Sequence, residues 1–523
     1  MSIDNQPINS VKKLPLFFRL LSFVFITYFV AVLLLMFIGQ LFWGFSYDHQ
    51  QAPLNLVLLP FVLALLGCLI WLAQRDAKSE GRLSPLKRLA LFQICFFAFQ
   101  FCWVYTTRFY PICESSETYA GAYALATGAS VPNMEFFRIY PHNAPNALLT
   151  SYIIRLALLL GFGDPQIFFP YVGALLLNVS TGLLAVVVYR LTKRTSILWI
   201  TAWVGAVWIG TSQFMMIPYS DIYSVLFPVL ALWVLTGKHT GFIKWFWFSL
   251  ICFFGYAIRP TILILWIAAV IYSVSLAISR KISIGSFLKK TILIAAALII
   301  SFLPASLWKS TAITALAGSK NPQEACTVTH YLMMGANYKT LGEFSPRDFQ
   351  FSQSFPTIKE RQSANLQEIE KRLSSMSPRQ FAKLALIKLY KPHADGNFFA
   401  DCAYVDYLPP RTDPFSAFFR DIYLKGGAYH LYYVSLQQII WLAVLLLAAV
   451  SVLATKDQPL IIFILGLAVV GMAAYNLLGE NWPRYLFVFS PLYLVMAMLG
   501  LNAVTKRLNC KKKIKNTLRS DRI

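Results

Sequence analysis

Long apolar segments alternate with short polar ones over nearly the whole chain. Apolar segments of about 20 residues match the hydrocarbon core of a bilayer, and in lipid such segments fold as helices because a helix satisfies its own backbone. We therefore predict an all-α polytopic membrane protein with about twelve transmembrane helices. The predicted spans are about 18–43, 53–73, 89–108, 167–188, 196–213, 220–237, 243–258, 260–279, 290–309, 431–454, 459–477 and 484–504.

The distribution of Lys and Arg predicts the orientation of these spans. Cytoplasmic loops of membrane proteins are rich in Lys and Arg, and here every second loop is basic. Both termini are therefore predicted to be cytoplasmic, in the cell (plasma or inner) membrane. The net charge of +23 indicates topology anchors and contact with the lipid bilayer rather than nucleic acid. The first apolar stretch has no small-residue cleavage site, so we interpret it as a retained span.

One apolar piece, 145–163, does not fit this pattern as a span. Counting it as a span would place the basic loop around Arg190 on the outside and would invert every later loop. Its Arg155 would also cost a few kcal/mol at the centre of a bilayer. We therefore predict that this piece is an amphipathic helix on the outer membrane interface.

The loops divide the chain into five predicted parts. The only stretch large enough for an extramembrane subdomain is 310–430, which contains a charged helical run at 358–391. Cys326 and Cys402 lie in that segment, and a disulfide between them is left open. The parts are an N-terminal unit with two extra spans (1–88), a transmembrane core (89–309) with a long outer loop (109–165), the extracytoplasmic segment (310–430), a three-span unit (431–504) and a basic cytoplasmic tail (505–523).

Two glutamates in the long outer loop are candidates for acid–base chemistry. Glu114 and Glu117 are three residues apart, close to one face of a helix. Glu117 is as well explained as part of a helix N-terminus, whereas Glu114 is flanked by the apolar Pro-Ile-Cys. Partial desolvation at a membrane interface raises the pKa of a carboxyl group, which suits a general base. We therefore favour Glu114 as a functional residue.

Further polar residues gather in the loops predicted to be outside. Asp221 opens a predicted span, where it is either a helix N-cap or a functional carboxylate. A dense patch beside the predicted interfacial helix is not explained by a turn alone, although a single His is often structural. That patch consists of Arg138, Tyr140, His142 and Asn143.

Two arginines near the ends of spans require anionic partners. Arg259 lies between two spans in apolar surroundings, and Arg484 lies at the mouth of the last outer loop with Glu480 nearby. An ion pair between Glu480 and Arg484 is the structural explanation. The functional one is that these guanidinium groups bind a phosphate, for which their planar shape is suited. No GxxxxGK[ST] loop occurs, so the energy would come from an activated substrate rather than from ATP.

At these residues the chain resembles the GT-C superfamily of membrane glycosyltransferases, which use polyprenyl-phosphate sugars. Their first long outer loop carries a catalytic acidic residue, often followed by Tyr-Ala, and here it carries Glu114, Glu117 and Tyr119-Ala120. An ExxxRY element matches Glu480, Arg484 and Tyr485. The pieces YPHN, PYSD, IRPT and HYLMMG resemble a bacterial branch that modifies cell-envelope glycopolymers. Many relatives have Asp or Asp-Glu in the first loop, so which glutamate is the base stays open.

The resemblance implies an inverting transfer at the outer face of the membrane. The donor phosphate would be bound by Arg259 and Arg484, with Arg138 as a further candidate. Glu114 or Glu117, with Asp221 as the next candidate, would deprotonate the acceptor hydroxyl. Substrate-binding candidates are Tyr140, His142, Asn143, Glu480 and Tyr485.

The partners that the resemblance implies are a polyprenyl-phosphate-linked sugar and an envelope glycopolymer or glycolipid acceptor. A donor synthase and a flippase are candidate protein partners. No cofactor is expected, and a divalent metal, which some relatives bind, is not indicated by any residue pattern. The sequence leaves the sugar, the acceptor and the oligomeric state open.

Two other functions compete with this one. A flippase or transporter of a polyprenyl-linked sugar would also contain intramembrane Arg and carboxylates, but it would be expected to show repeats and midplane polar residues. A non-catalytic assembly or polymer-length factor would explain the large 310–430 segment, but it would leave Arg259 without a partner.

Overall fold

The computed structural model describes residues 16–42, 53–75, 84–111, 114–279, 284–400, 413–455 and 457–520. These residues form helices and connecting turns, with no strand in the described ranges. Nine of the described helices are long and apolar enough to cross a membrane. The prediction of an all-α polytopic membrane protein is therefore confirmed. The nine are Leu16–Gly39, Asn55–Gln74, Pro85–Thr107, Pro165–Thr192, Gly241–Ile258, Pro260–Ile278, Ile294–Ala317, His430–Ala454 and Pro459–Leu478.

Short helices connect and extend these spans, and four of the 3₁₀ turns lie directly before or after an α-helix. The α-helices are α1 (Leu16–Leu34), α2 (Gln40–Phe42), α3 (Asn55–Gln74), α4 (Pro85–Thr107), α5 (Glu114–Thr127), α6 (Met134–Ile139), α7 (Ala144–Leu159), α8 (Pro165–Thr192), α9 (Thr195–Trp208), α10 (Ser220–Ser224), α11 (Leu226–Leu235), α12 (Gly241–Ile258), α13 (Leu263–Ser279), α14 (Ile284–Ala317), α15 (Val328–Gly335), α16 (Pro346–Gln353), α17 (Ile358–Ser375), α18 (Pro378–Tyr390), α19 (Pro414–Tyr423), α20 (His430–Ala449), α21 (Pro459–Leu478), α22 (Arg484–Phe487) and α23 (Ser490–Ser520).

Three predicted spans differ from the nine long helices. The span predicted at 196–213 is the shorter helix α9, and the one predicted at 220–237 is divided into α10 and α11. The last predicted span is divided into α22 and α23, and α23 continues through the basic tail to Ser520. Hydropathy locates all three segments, but it does not register where the helix is interrupted.

The helix α14 is longer than the span predicted at 290–309. It runs to Ala317 and ends before Gly318, whose φ of 72° lies in the left-handed region that favours glycine. The residues after the hydrophobic stretch, Ser310 to Ala317, contain no helix breaker, so the helix continues beyond it. Lys309, which the hydropathy pattern places at the end of the span, therefore lies about two turns inside the helix.

The long loop 109–165 folds into α5, α6 and α7. Together with the end of α14, these helices bury a cluster that includes Tyr119, Phe137, Ala147 and Leu316. The predicted interfacial helix at 145–163 corresponds to α7, which is not among the nine long spans. The Arg155 Nη2 atom donates to the Leu125 carbonyl at 2.6 Å.

The charged run 358–391 forms two helices rather than one. The break follows α17, where Ser377 and Gln380 form a capping box and Pro378 occupies the first position of α18. The possible Cys326–Cys402 disulfide is not tested, because Cys402 lies outside the described residues. The Cys326 thiol is buried and lies 3.4 Å from the Gln353 Nε2 atom.

A buried hydrogen-bond network attaches the first span to the rest of the molecule. The Tyr28 hydroxyl lies 2.8 Å from His393 Nε2 and 2.6 Å from the Tyr493 hydroxyl. His393 Nδ1 lies 2.8 Å from the Leu389 carbonyl, so that nitrogen carries the proton and Nε2 accepts. Unpaired polar groups are costly in lipid, and this network therefore fixes α1 against α23 and the 310–430 segment.

Candidate functional site

Five polar side chains from four distant parts of the chain meet at one end of the helix bundle. They are Glu114 at the start of α5, Tyr219 and Asp221 around the start of α10, Arg259 after α12 and Arg484 at the start of α22. Each lies in or beside a loop that the Lys and Arg pattern predicts to be outside. The fold therefore brings the principal candidates for chemistry together.

Glu114 lies at the centre of this group. Its Oε2 atom accepts a hydrogen bond from the Tyr219 hydroxyl at 2.8 Å and lies 3.5 Å from Arg484 Nη2. Burial by itself would raise the pKa of Glu114, but the Arg484 guanidinium and the Tyr219 hydroxyl outweigh it and hold that pKa below its usual value. The prediction of a raised pKa for Glu114 is therefore wrong.

Glu117 lies in the first turn of the same helix but has a different partner. Its Oε2 atom accepts a hydrogen bond from Asn133 Nδ2 at 3.1 Å, and Asn133 in turn caps α6 by accepting from the Phe136 amide. A carboxylate in the first turn also interacts favourably with the helix dipole. These contacts connect α5 to α6, which supports a structural role for Glu117.

Asp221 and Arg259 form a buried ion pair. The two side chains are 3% and 7% exposed, and Arg259 Nη1 lies 2.5 Å from Asp221 Oδ1 and 3.1 Å from the Ser220 hydroxyl. Tyr219 occupies the N-cap position of α10, so the N-cap explanation of Asp221 is wrong. Arg259 thus has the anionic partner that its position requires, and that partner belongs to the protein.

Arg484 is the more accessible of the two arginines. Its ion pair is with Glu114, whereas the structural explanation predicted a pair with Glu480. The side chains of Arg484 and Glu114 are 32% and 47% exposed. The Tyr485 ring lies near both guanidinium groups, 5.8 Å from that of Arg484 and 5.2 Å from that of Arg259. A ligand that enters from this end can therefore reach both members of the Glu114–Arg484 pair.

Glu480 is buried and holds the turn that precedes Arg484. Its carboxylate accepts from the Trp482 indole at 3.0 Å and from the Tyr485 hydroxyl at 2.6 Å. Burial raises the pKa of Glu480. These bonds make Glu480 a group that orders the turn, and its raised pKa distinguishes it from Glu114.

The 310–430 segment holds the same turn from its other side. Lys388 Nζ donates to the carbonyls of Gly335 and Gly479, each at 2.7 Å. The backbone amide of Asn481 donates to the Gly342 carbonyl at 2.9 Å. A side chain at Gly335 would collide with the Leu478 and Gly479 carbonyls, so the two backbones meet directly. The segment therefore positions Glu480 and Arg484 relative to Glu114.

The polar patch after α6 is divided between structural and site roles. Arg138 is exposed, and its Nε atom donates to the Ala317 carbonyl at 3.1 Å, which fastens α6 to α14. The Tyr140 ring packs against Phe349, with the ring centroids 6.2 Å apart. Asn143 is buried, and its Oδ1 atom accepts no hydrogen bond from a described residue. The contact of Arg138 therefore supports a structural role at the junction of α6 and α14.

His142 lies close to the charged group. Its ring is 6.2 Å from Tyr331 and 6.1 Å from Tyr140. Burial lowers the pKa of His142 to about 4. The positive charges of Lys309, Arg484 and Arg259 lower this pKa further, whereas the negative charge of Glu114 raises it. The imidazole is therefore neutral near pH 7 and available as a hydrogen-bond donor or acceptor.

Three residues near the polar side chains around Glu114 are not predicted from the sequence as site residues. Tyr219 lies within the quoted PYSD piece and Tyr331 within HYLMMG, so their motifs were seen but their roles were not. Lys309 carried no motif at all. Its Nζ atom lies 4.9 Å from the centroid of the Tyr256 ring. In the part of the chain that the structure describes, no group of three or more His, Cys, Asp and Glu could hold a metal ion.

Comparison with known proteins gives a family and one distant structure. The model of a family described as "Conserved hypothetical integral membrane protein" matches residues 16–505. No curated protein matches the chain. Among solved structures, the chain is similar to "ArnT from Cupriavidus metallidurans bound to Undecaprenyl phosphate", at 12% identity and a TM-score of 0.27, over 79% of this chain and 77% of that one. At that TM-score the similarity carries no argument.

Proposed function

The chain belongs to this family of conserved hypothetical integral membrane proteins, and we propose that it is a membrane glycosyltransferase. It would move a sugar from a polyprenyl-phosphate donor to a hydroxyl of an envelope glycopolymer or glycolipid at the outer face of the cell membrane. The observation that carries this proposal is the accessible carboxylate of Glu114 beside the Arg484 guanidinium. A base and a phosphate-binding cation at one place are what such a transfer requires.

In the proposed reaction Glu114 acts on the acceptor. The acceptor oxygen attacks the anomeric carbon, its proton passes to Glu114, and the bond from that carbon to the phosphate oxygen breaks. The polyprenyl phosphate leaves with the bonding electrons, and the anomeric configuration is inverted. Tyr219 donates to the Glu114 carboxylate and so fixes its orientation.

The Glu114–Arg484 contact connects donor binding to the strength of the base. Arg484 lies 3.5 Å from Glu114, a distance that leaves it able to turn toward a phosphate. When Arg484 contacts the donor phosphate, Glu114 loses its strongest charge partner, and burial then raises its pKa toward that of a useful base. The donor would thus prepare the base for the acceptor.

The orientation of the site supports transfer at the outer face. Its polar residues come from loops that the Lys and Arg pattern predicts to be outside, and they meet at one end of the bundle. A flippase would be expected to place such groups along a path near the midplane. We therefore favour the transferase over the flippase.

Reconstitution separates the two functions. The purified protein is placed in proteoliposomes with radiolabelled polyprenyl-phosphate sugars and with lipid and glycopolymer extracts as acceptors. The expected result is label in the acceptor fraction, absent with the Glu114→Gln variant. Movement of the labelled donor between leaflets without any label in the acceptor would instead support the flippase and overturn the proposal.

A further inference from the structure

Lys309 is a cation of the site whose charge no described carboxylate neutralises. It lies in α14, beside Tyr256 of α12 and close to His142, whose pKa it helps to lower. The 3₁₀ turn Pro141–Asn143 contacts both α12 and α14, which brings His142 toward Lys309. In the ranges that the structure describes, Lys309 is partly exposed and forms no ion pair.

The other two cations of the site are already paired. Arg259 is bound to buried Asp221, and Arg484 is paired with Glu114. A buried or half-buried ammonium group is unfavourable without an anion, and a tyrosine ring offsets only part of the cost. Lys309 is therefore a position at which an added negative charge would be stabilised.

We propose that Lys309, together with Arg484, binds the phosphate group of the substrate, while Arg259 is a positioning residue held by Asp221. This inference rests on the proposed function, because it names the phosphate contact of the same site. Lys309 lies about two turns below the end of α14, beside Tyr256, which is about one helical turn before Arg259. A lipid phosphate whose chain lies in the bilayer could reach that depth.

Binding of farnesyl phosphate and of farnesol, its neutral alcohol, tests the inference. Both are titrated against the purified protein in nanodiscs, and the ratio of the two affinities measures recognition of the phosphate. We expect the wild type to favour farnesyl phosphate and Lys309→Met to lose about tenfold of that preference. Lys309→Arg should keep the preference, and Lys320→Met, which removes an exposed lysine beyond α14, should leave it unchanged.

The outcomes separate this inference from the proposed function. If Lys309→Met is folded by thermal melt and keeps the full preference while Arg484→Met loses it, Lys309 is not a phosphate contact, and the proposed function is untouched. If the wild type shows no preference for farnesyl phosphate, both proposals fail. If inorganic phosphate displaces farnesyl phosphate at equal concentration, Lys309 binds free phosphate, and the lipid assignment is overturned.

Discussion

Two arginine–carboxylate clusters in this protein use the same residue types in opposite ways. In the 310–430 segment, Arg372 contacts Asp348 through both terminal nitrogens, at 2.8 and 3.0 Å, and its Nε atom contacts Glu368 at 3.0 Å. At the site, Arg484 makes one ion pair of 3.5 Å with Glu114, and both side chains are about a third to a half exposed. The Arg372 cluster therefore has several short contacts, whereas the Arg484–Glu114 pair has one long contact and is accessible.

The difference indicates which cluster stabilises the fold and which is available to a ligand. The bidentate, mostly buried Arg372–Asp348 pair has its geometry fixed by the protein, and Arg372 also donates to Glu368 and to the Met333 carbonyl. A single long contact between exposed groups contributes little to stability and can exchange one anion for another. We therefore expect substitutions in the two clusters to affect different measurements.

The largest expected effect is on turnover, at Glu114. Glu114→Gln keeps the shape and the contact with Tyr219 but removes the proton acceptor, so turnover should fall by about 10²–10⁴-fold with donor binding retained. The transfer assay in proteoliposomes measures this. Glu117→Gln is the matched control and should stay near wild type. If both variants retain activity, the base lies elsewhere, and Asp221 is the next candidate.

The next effect is on stability, at Arg372. Arg372→Met leaves the buried Asp348 carboxylate unpaired, which should destabilise the protein by about 3–5 kcal/mol. Lys371→Met, at the neighbouring exposed residue with a 3.7 Å contact to Glu368, should cost no more than about 1 kcal/mol. Thermal unfolding in detergent measures both. Equal losses of stability in the two variants would show that the Arg372 cluster stabilises the fold no more than an exposed ion pair does.

Arg484→Lys should produce a smaller and purely functional change. Lysine keeps the charge but loses the planar guanidinium, so kcat/KM for the donor should fall about tenfold while the melting temperature changes little. Arg484→Ala should be worse. The control is Glu480→Gln, because Glu480 orders the turn that carries Arg484. If Glu480→Gln reproduces the whole defect of Arg484→Ala, the role of Arg484 is structural.

The smallest expected change is a shift in pH dependence. The pKa of Glu114 is lowered from the ordinary glutamate value of 4.5. If Glu114 is the base, the acid limb of the kcat/KM profile should therefore lie below pH 4.5. Arg484→Met removes the charge that lowers this pKa and leaves burial to raise it, so the limb should move to higher pH. Arg484→Lys should keep it low. An unchanged limb in Arg484→Met would mean that another group controls it.

The sequence predicts the all-α, multi-span fold well because hydropathy is a local signal. It predicts the candidates Glu114, Asp221, Arg259 and Arg484 because polar residues are conspicuous among apolar ones. It does not predict that Arg259 pairs with Asp221, 38 positions away, or Arg484 with Glu114, 370 positions away, since such pairs depend on helix packing.

Other differences follow from local rules that hydropathy overlooks. The break before α18 is encoded by Ser377, Pro378 and Gln380, which form a helix start inside an otherwise continuous charged run. The span predicted at 290–309 ends at Lys309, although the helix continues through that residue to Ala317. The prediction of a raised pKa for Glu114 took account of desolvation but not of Arg484, which is distant in sequence.

The most direct test of the central claim is the chemistry of the product. Reconstituted protein is given a polyprenyl-phosphate sugar and an envelope acceptor, and released polyprenyl phosphate and the anomeric configuration of the new glycoside are measured by mass spectrometry and NMR. The account predicts one polyprenyl phosphate released per sugar transferred, with inversion, and neither product from Glu114→Gln. Sugar that crosses the membrane with its lipid phosphate still attached, or a product that retains its anomeric configuration, would contradict it.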